Sequence, residues 1–324
     1  MTDAIAFYGA EQVRALLDYD GCIGAMREAM SFVSLSDTPQ PLRNIVELGH
    51  GRLFGLMPGS LHCVNGFGAK LVSVFAQPDR EGRFAHRGVV VLFEGDDGSV
   101  CCIGDAGAIT QIRTACASAV ATDALARFKS RVLAVFGTGS QAESHIRALV
   151  RIRPLNRIVI WGRSAANAER LAQRMADELD IETVATTDGK AAAAEADIIC
   201  TVTAAQEPVL LGEWVRPGTH VNLVGSSYLG PVETDSALVA RSHYIADYRP
   251  SALAAAAEFA AAKNAGLIDD DHLAAEIGEV LVKLKPGRTE DAQITVYKSL
   301  GHAVQDLAAL AYLHDRAGRA RMPS

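Results

Sequence analysis

Residues 132–142 limit the possible folds of this chain more than any other stretch. Five apolar residues, 132–136, run directly into Gly137-Thr-Gly-Ser-Gln-Ala142, and apolar residues at helical spacing follow. A strand, a tight glycine turn and a helix in this order are typical of dinucleotide-binding folds, in which a pyrophosphate lies at the helix N-terminus. The alternative is a plain strand–helix turn, but the flanking strand and helix favour binding. The sequence predicts a Rossmann fold whose cofactor contacts include Gly137, Thr138, Gly139, Ser140 and Gln141.

The composition predicts a soluble globular protein of about two domains, because 49% of the 324 residues are hydrophobic and 21% are charged. The formal net charge of −7 comes without a basic cluster, so nucleic acid is not an expected partner. The apolar runs have the length of strands, and the N-terminus lacks a basic region followed by a long apolar core. We therefore expect neither a membrane span nor a signal peptide.

The six cysteines and nine histidines do not form a recognisable ligand pattern. None of the cysteines forms a CxxC pair and several lie within apolar runs, so we expect reduced, buried thiols and a cytoplasmic location. A catalytic cysteine is the less favoured alternative. The histidines lack the spacing of metal ligands, so the sequence predicts no metal site.

The first 130 residues are predicted to form a helix, several strands and a second helix. Apolar residues at helical spacing predict a helix over 10–35, and a long helix is expected from Ala106 to Phe128. Between them, segments with strand character lie at 42–48, 52–57, 68–75, 88–93 and 100–103. Gly95-Asp-Asp-Gly98 indicates a hairpin turn. Strands in succession without intervening helices predict a mostly antiparallel sheet.

From residue 132 onward strands alternate with helices, which predicts a parallel sheet with helices on both faces. The expected strands lie at 132–136, 158–161, around Val184, and at 197–203, 221–224, 244–246 and 294–297. Alanine-rich helices are expected at 251–265 and 272–284, and an amphipathic helix at 301–316. The fold class is α/β, a doubly wound Rossmann sheet joined to an α+β domain.

Short segments spread in order across nearly the whole chain resemble the ornithine cyclodeaminase/mu-crystallin family. These segments are Pro41-Leu-Arg43, Met57-Pro58-Gly59, Gly68-Ala-Lys70, Ala85-His86-Arg-Gly88, Ile109-Thr-Gln-Ile-Arg113-Thr-Ala, Gly137-Thr-Gly139, Trp161-Gly-Arg-Ser164, Gly225-Ser-Ser227, Gly278-Glu-Val280, Lys298-Ser-Leu-Gly301 and Gln305-Asp306-Leu. Each is weak alone, but together they are specific.

The resemblance implies a homodimer whose subunits have a substrate and dimerisation domain, residues 1–120 completed by 300–324, and a Rossmann domain, residues 121–299. Family members include cyclodeaminases, alanine dehydrogenases, reductases of cyclic and linear imino acids, and a thyroid-hormone-binding crystallin. The implied ligands are NAD(P)H and a small 2-imino or 2-amino carboxylate.

Three cationic side chains are the candidate substrate site. The resemblance implies that Arg43 and Arg113 hold the substrate carboxylate, which suits the planar fork of a guanidinium; the alternative is a surface charge pair. Lys70 stands within an apolar strand, where a lysine is costly unless it is paired or functional. Burial and two arginines would lower the pKa of Lys70 and suit it to catalytic proton transfer. The alternative is a lysine that protects an edge strand from pairing.

The resemblance adds further cofactor contacts. A histidine matching His86 lies near the cofactor in the family, although a structural histidine is an equal alternative. Thr201 and Thr203 end the fourth Rossmann strand, at the edge where ligands bind in such sheets. Ser226 and Ser299 are assigned to the cofactor by resemblance alone.

The loop after the fifth Rossmann strand departs from the cyclodeaminase pattern. Cyclodeaminases have an aspartate there, and Ser227 occupies its place as a predicted substrate contact. A serine has no titratable carboxylate for handling a second amine. The departure favours simple imine reduction or amino-acid oxidation over cyclodeamination.

The end of the second Rossmann strand carries no acidic residue that would bind the ribose hydroxyls of NAD. Arg163 and Ser164 stand there instead and suit a 2′-phosphate, so NADPH is favoured; stacking of Arg163 on the adenine would also allow NADH.

These features predict NAD(P)H-dependent reduction of a small 2-imino carboxylate to an L-amino acid, possible in reverse as an amino-acid dehydrogenase reaction. Candidate substrates are iminosuccinate, pyrroline or piperideine carboxylate, and iminopyruvate. The alternatives are an ornithine-type cyclodeaminase and a non-catalytic, crystallin-like binding protein. Retention of Lys70 disfavours the binding protein, because binding alone does not need a buried lysine.

Overall fold

The computed structural model describes residues 5–61, 66–76 and 84–321, with the side chains of all but residues 76, 84–86 and 320–321. Its contacts divide the chain into two compact units. The first unit is Met1–Arg113 with His302–Ser324, and the second is Thr114–Gly301. Within the described ranges, no helix is both long and apolar enough to cross a bilayer.

Fourteen strands lie within the described ranges. They are β1 (Ala6–Tyr8), β2 (Asn44–Glu47), β3 (Leu53–Leu61), β4 (Gly66–Ala76), β5 (Phe84–Glu94), β6 (Val100–Asp105), β7 (Val132–Phe136), β8 (Arg157–Trp161), β9 (Glu182–Thr186), β10 (Ile198–Thr201), β11 (His220–Leu223), β12 (His243–Ala246), β13 (Leu273–Glu276) and β14 (Thr295–Lys298).

Eleven α-helices accompany the strands in the same ranges. They are α1 (Ala10–Leu16), α2 (Tyr19–Leu35), α3 (Ala106–Leu125), α4 (Ser140–Leu149), α5 (Ala165–Leu179), α6 (Gly189–Glu195), α7 (Ser236–Ala240), α8 (Arg249–Ala255), α9 (Ala257–Asn264), α10 (Ile277–Leu281) and α11 (Ala303–Arg321).

The first unit is built on a six-stranded sheet in the order β1-β6-β5-β4-β3-β2. All neighbours are antiparallel except β1 and β6, so the predicted mostly antiparallel sheet is confirmed. Helix α11 lies close against this sheet because glycines replace side chains beneath it. A Cβ at Gly59 would lie 3.0 Å from the Ala303 Cβ, and one at Gly104 would lie 2.8 Å from a methyl of Leu310.

The second unit is built on an eight-stranded sheet in the order β13-β12-β14-β11-β10-β7-β8-β9. Every pairing in it is parallel, as the alternation of strands and helices predicts. The chain starts at β7, moves outward through β8 and β9, and returns to β10 on the other side of β7. This reversal beside β7 is the position at which doubly wound sheets bind ligands, beyond the carboxyl ends of the strands. The predicted α/β fold class is confirmed.

Three predicted helices differ in the structure. The helix expected over 272–284 is wrong, because Leu273–Glu276 form β13, which pairs with β12, and only Ile277–Leu281 are helical. Pairing with β12 outweighs the helix preference of the alanines at this sheet edge. The helix over 10–35 is interrupted where the Asp18 carboxylate accepts a hydrogen bond from the Gly21 amide and caps α2. The helix over 251–265 is divided at Ala256, which is extended.

Candidate active site

Lys70 lies in the interior of the first unit's sheet. Strand β4 places it opposite Met57 on β3 and Val90 on β5, so the strand is paired on both sides. The side chain is buried, and its Nζ donates to Thr110 Oγ1 at 2.6 Å and to Asp306 Oδ1 at 3.4 Å. The edge-strand alternative for Lys70 is therefore wrong. A buried ammonium is costly unless it is paired, and Lys70 has two hydrogen-bond acceptors. This fits the paired or functional role that its position in an apolar strand predicts.

Asp306 is the anion of this cluster. It lies in the first turn of α11 and is fully buried. Arg113, on α3, donates from Nε to Asp306 Oδ1 at 2.9 Å and from Nη1 to Gln305 Oε1 at 2.7 Å. Asp306 Oδ2 has no hydrogen-bond partner among the described residues, which leaves a buried acceptor for a ligand N–H. Sequence reasoning missed the role of Asp306; a carboxylate in the apolar run of α11 was the available signal.

The charges of the cluster shift the pKa values in it. Burial lowers the pKa of Lys70 to about 8, and the charges of Arg113 and Arg43 act in the same direction, while Asp306 opposes them. The predicted causes, burial and two arginines, are thus confirmed. Burial alone would raise the pKa of Asp306, but Arg113 and Lys70 hold it below its usual value. These shifts favour an ionised Asp306 and bring the pKa of Lys70 closer to neutral pH.

Two further side chains lie beside this cluster. Arg43 precedes β2 and is half-buried, and its charge acts on both Lys70 and His302. His302 is buried, and burial together with Arg113 and Arg43 lowers its pKa to about 4. Its Nδ1 accepts a hydrogen bond from the Val304 amide at 3.2 Å, so the neutral ring carries its proton on Nε2. Sequence reasoning did not identify His302.

In the second unit the glycine turn joins β7 to the N-terminus of α4. Gly137 has a φ of 137°, and a Cβ there would lie 2.9 Å from the Val202 carbonyl oxygen. Gly139 is the N-cap of α4, has no side-chain cap, and borders open space where a Cβ would project. The first turn of α4 thus begins at an uncapped glycine, and its free amides are the groups that bind anions at helix N-termini. Gln141 Oε1, buried at the same turn, has no hydrogen-bond partner among the described residues.

Thr201 and Thr203 hold a buried carboxylate in the structure. Their hydroxyls donate to Glu233 at 2.7 and 2.8 Å, and the amides of Thr203 and Gly225 donate to it at 2.6 Å each. Burial raises the pKa of Glu233, and these donors oppose the shift. Glu233 therefore joins the end of β10 to the loop after β11. The assignment of both threonines to the cofactor stays a prediction.

A buried ion pair also holds the loop after β11. Lys298 and Glu258 are both fully buried and lie 2.8 Å apart. Lys298 Nζ also donates to the carbonyl oxygen of Ser226 at 2.6 Å, and Glu258 accepts from the Glu233 amide at 3.2 Å. The loop that carries Ser226 and Ser227 is thereby tied to β14 and α9. Sequence reasoning missed Glu233 and Glu258, which are far from Lys298 in the chain.

The remaining predicted residues have varied surroundings. Ser299 is buried, and its Oγ has no partner among the described residues. Ser227 is partly exposed, and Arg163 is exposed at the loop before α5. Ser164 caps α5 by accepting from the Asn167 amide. His86 lies in β5 opposite Val74, and its side chain lies outside the described residues.

The model of the ornithine cyclodeaminase/mu-crystallin family matches residues 5–320. The chain belongs to this family. Among curated members, it is 33% identical to mouse (Mus musculus) ketimine reductase mu-crystallin over 323 residues, which cover 97% of this chain and 98% of the relative.

Two solved structures are similar to this chain over nearly its whole length. The Thermococcus litoralis Δ1-pyrroline-2-carboxylate reductase in complex with NADH and L-proline matches with a TM-score of 0.92 and 27% identity over 99% of both chains. An archaeal alanine dehydrogenase dimer with bound NAD matches with a TM-score of 0.91 and 26% identity, over 99% of this chain and 98% of that one.

Proposed function

We propose that this family member reduces a small 2-imino carboxylate to the corresponding amino acid with NAD(P)H. The observation that carries the proposal is the buried cluster of Lys70, Arg113 and Asp306 in a chain whose second unit has a dinucleotide-binding turn. The names of the relatives support the reaction class: one is a ketimine reductase, and another structure holds NADH and L-proline. Apart from Ser227 and His86, we assign the substrate contacts to the first unit and the cofactor contacts to the second.

The substrate carboxylate is assigned to Arg113 and Arg43. Asp306 and Gln305 engage Arg113 through Nε and Nη1, and Nη2 has no hydrogen bond to any described residue. Nη2 of this guanidinium is therefore available to donate to a carboxylate. Arg43 adds a second positive charge to the same cluster. The positive charges of Lys70, Arg113 and Arg43 favour a negatively charged ligand.

Lys70 is assigned the proton transfer. Reduction of an imine adds a hydride to carbon and a proton to nitrogen, and bound NAD(P)H supplies the hydride. With a pKa of about 8, Lys70 is mostly protonated at pH 7 and can release its proton to nitrogen. Thr110 and Asp306 accept hydrogen bonds from Nζ and fix its position. Ser227 is the further proposed substrate contact.

The proposal is tested by the choice of substrate. A panel of cyclic imino acids, iminosuccinate, and 2-keto acids with ammonia or methylamine is offered with NADPH or NADH, and cofactor consumption is measured. We expect consumption with at least one imino acid and no ammonia release from L-ornithine with NAD. Steady proline formation from ornithine at roughly 1 per second or more would establish a cyclodeaminase instead. No consumption with any compound would leave the binding-protein alternative.

The preference for NADPH is proposed from Arg163. The guanidinium is exposed beyond the end of β8, and no acidic side chain occupies residues 157–164. We expect Arg163→Ala to raise the Michaelis constant for NADPH about 10- to 100-fold, the scale of one charged hydrogen bond, and that for NADH less than threefold. Both constants are measured at saturating substrate. Arg170→Ala, an exposed arginine on α5, is the matched control; equal effects of Arg163→Ala on both cofactors would contradict the assignment.

A homodimer is proposed from the surface of the first unit. Strand β2 is at the sheet edge, and the apolar side chains of Leu42, Ile45, Val46 and Leu48 are 44–50% exposed. An exposed apolar edge of this kind is normally covered by another chain. The related alanine dehydrogenase is described as a dimer.

We propose the cytoplasm as the location of the protein. None of the described cysteines forms a disulfide, which suits a reducing compartment.

The dimer is tested by charging this edge. Val46→Glu places a carboxylate in the apolar patch, and we expect it to shift sedimentation from dimer to monomer at micromolar concentration. Val46→Thr, of similar shape, is expected to remain dimeric. A monomeric unmodified protein, or a Val46→Glu variant that dimerises normally, would overturn the assignment of this edge.

A further inference from the structure

Two cysteines and a histidine far apart in the chain lie together in the first unit. The sulfur atoms of Cys101 and Cys102 and a ring nitrogen of His314 are all within 4.8 Å of one another. Cys102 is buried, and the other two side chains are partly exposed. The cluster is not part of the contacts of Lys70, Arg113 and Asp306.

A bulge in the sheet explains how the side chains of two adjacent cysteines can face the same site. Leu92 pairs with Cys102 and Phe93 with Val100, so Cys101 has no partner of its own on β5. Consecutive residues of a regular strand point to opposite faces, whereas a bulge turns the extra residue out of this alternation. The register shift therefore lets both sulfur atoms face the same point.

Helix α11 supplies the third ligand, and a neighbouring tyrosine orients it. The Tyr8 hydroxyl forms a 2.8 Å hydrogen bond with His314 Nδ1, and the two rings are 5.9 Å apart in an edge-to-face arrangement. Metal-binding histidines usually have such a partner on the nitrogen that does not bind the metal. The Glu94 carboxylate interacts with the Cys101 thiol and raises its pKa, after burial, which is the larger cause.

We propose that Cys101, Cys102 and His314 bind a zinc ion, with Glu94 or water as the fourth ligand. Thiolate and imidazole donors are the usual ligands of zinc, at about 2.3 and 2.0–2.1 Å from the metal. Donors of such a tetrahedral site are roughly 3.5–3.8 Å apart, so donor atoms that lie within 4.8 Å of one another need to approach by about 1.3 Å at most. The partial exposure of Cys101 and His314 gives the ion a route of entry.

The zinc site would be structural. It joins β6 to α11, the helix that also carries Asp306 eight residues earlier, about 12 Å along the axis. Bound zinc would therefore hold the C-terminal helix on the sheet without contacting the substrate. The spacing of the histidines predicts no metal site, because Cys102 and His314 are 212 residues apart and only the fold brings them together.

The proposal is tested with cobalt, which reports thiolate ligands by charge-transfer absorption. Full-length protein without an affinity tag is titrated with Co²⁺ and then with competing Zn²⁺. We expect one equivalent to produce the thiolate band and zinc to abolish it. Cys101→Ser and His314→Gln should each weaken cobalt binding at least tenfold, and Tyr8→Phe about tenfold. Cys22→Ser, which removes another buried thiol of the first unit, is the control and should bind normally.

Thermal unfolding gives a second measurement. Saturating Zn²⁺ should raise the unfolding midpoint of the unmodified protein and of Cys22→Ser, and leave those of Cys101→Ser and His314→Gln unchanged. The proposal is overturned if the unmodified protein gives no thiolate band, or if the band survives in Cys101→Ser and His314→Gln with unchanged affinity. An equal loss in Cys22→Ser would also overturn it.

Discussion

Replacing Lys70 by methionine is expected to slow hydride transfer to the imine by ~100-fold or more, the usual scale of general acid–base catalysis. Methionine keeps the approximate volume of the side chain in β4 and removes the ammonium that donates to Thr110 and Asp306. Single-turnover reduction with prebound cofactor measures this step directly. Cofactor affinity, measured separately, should change by less than about threefold, because all the predicted cofactor contacts except His86 lie in the second unit.

The pH profile distinguishes a proton donor from a structural cation. The pKa of Lys70 is lowered to about 8, so the ammonium predominates at pH 7 and disappears as the pH rises through about 8. Reduction by the unmodified protein should therefore fall above pH 8, while the reverse oxidation, which needs the free amine, should increase. The Lys70→Met variant should lose this pH limb. Lys129→Met, which removes an exposed lysine, should keep both the rate and the limb; near-normal hydride transfer in Lys70→Met would make Lys70 structural.

Local patterns in the sequence predict much of the fold and part of the site. The strand at 132–136, the glycine turn and the helix after it depend on neighbouring residues, and the structure contains them as predicted. The buried lysine on β4 is also visible locally, because a charge interrupts an apolar run. Such features arise from propensity and periodicity within a few residues.

Long-range pairing accounts for what the sequence does not predict. Lys70 and Asp306 are 236 residues apart, and nothing near Asp306 indicates which cation it will meet. The same holds for Glu233 with the strand end at Thr201, 32 residues away. Strand β13 was mistaken for helix because its stability comes from pairing with β12 and not from its own alanines.

The sequence predicts a substrate site of three cations, Lys70, Arg113 and Arg43. The structure corrects this prediction most, because the Asp306 carboxylate contacts two of them. Asp306→Asn is expected to lower the free energy of unfolding by ~3–5 kcal/mol, since it leaves the charges of Lys70 and Arg113 buried without their anion. Denaturant unfolding at pH 7 measures the change. Asp315→Asn is the matched control on the same helix: its ion pair with Arg319 is exposed, and its loss should cost less than about 0.5–1 kcal/mol.

The same substitution also changes the chemistry of Lys70 in a defined direction. Asp306 raises the pKa of Lys70 against burial and the arginines, so removing its charge should lower that pKa further below 8. The pH limb of reduction should move to lower pH in Asp306→Asn and remain in place in Asp315→Asn. Combining Lys70→Met with Asp306→Asn should cost less stability than the sum of the two single changes, because each removes one partner of the same pair. Additive losses, or an Asp306→Asn variant as stable as Asp315→Asn, would mean that Asp306 does not balance the cations that surround it.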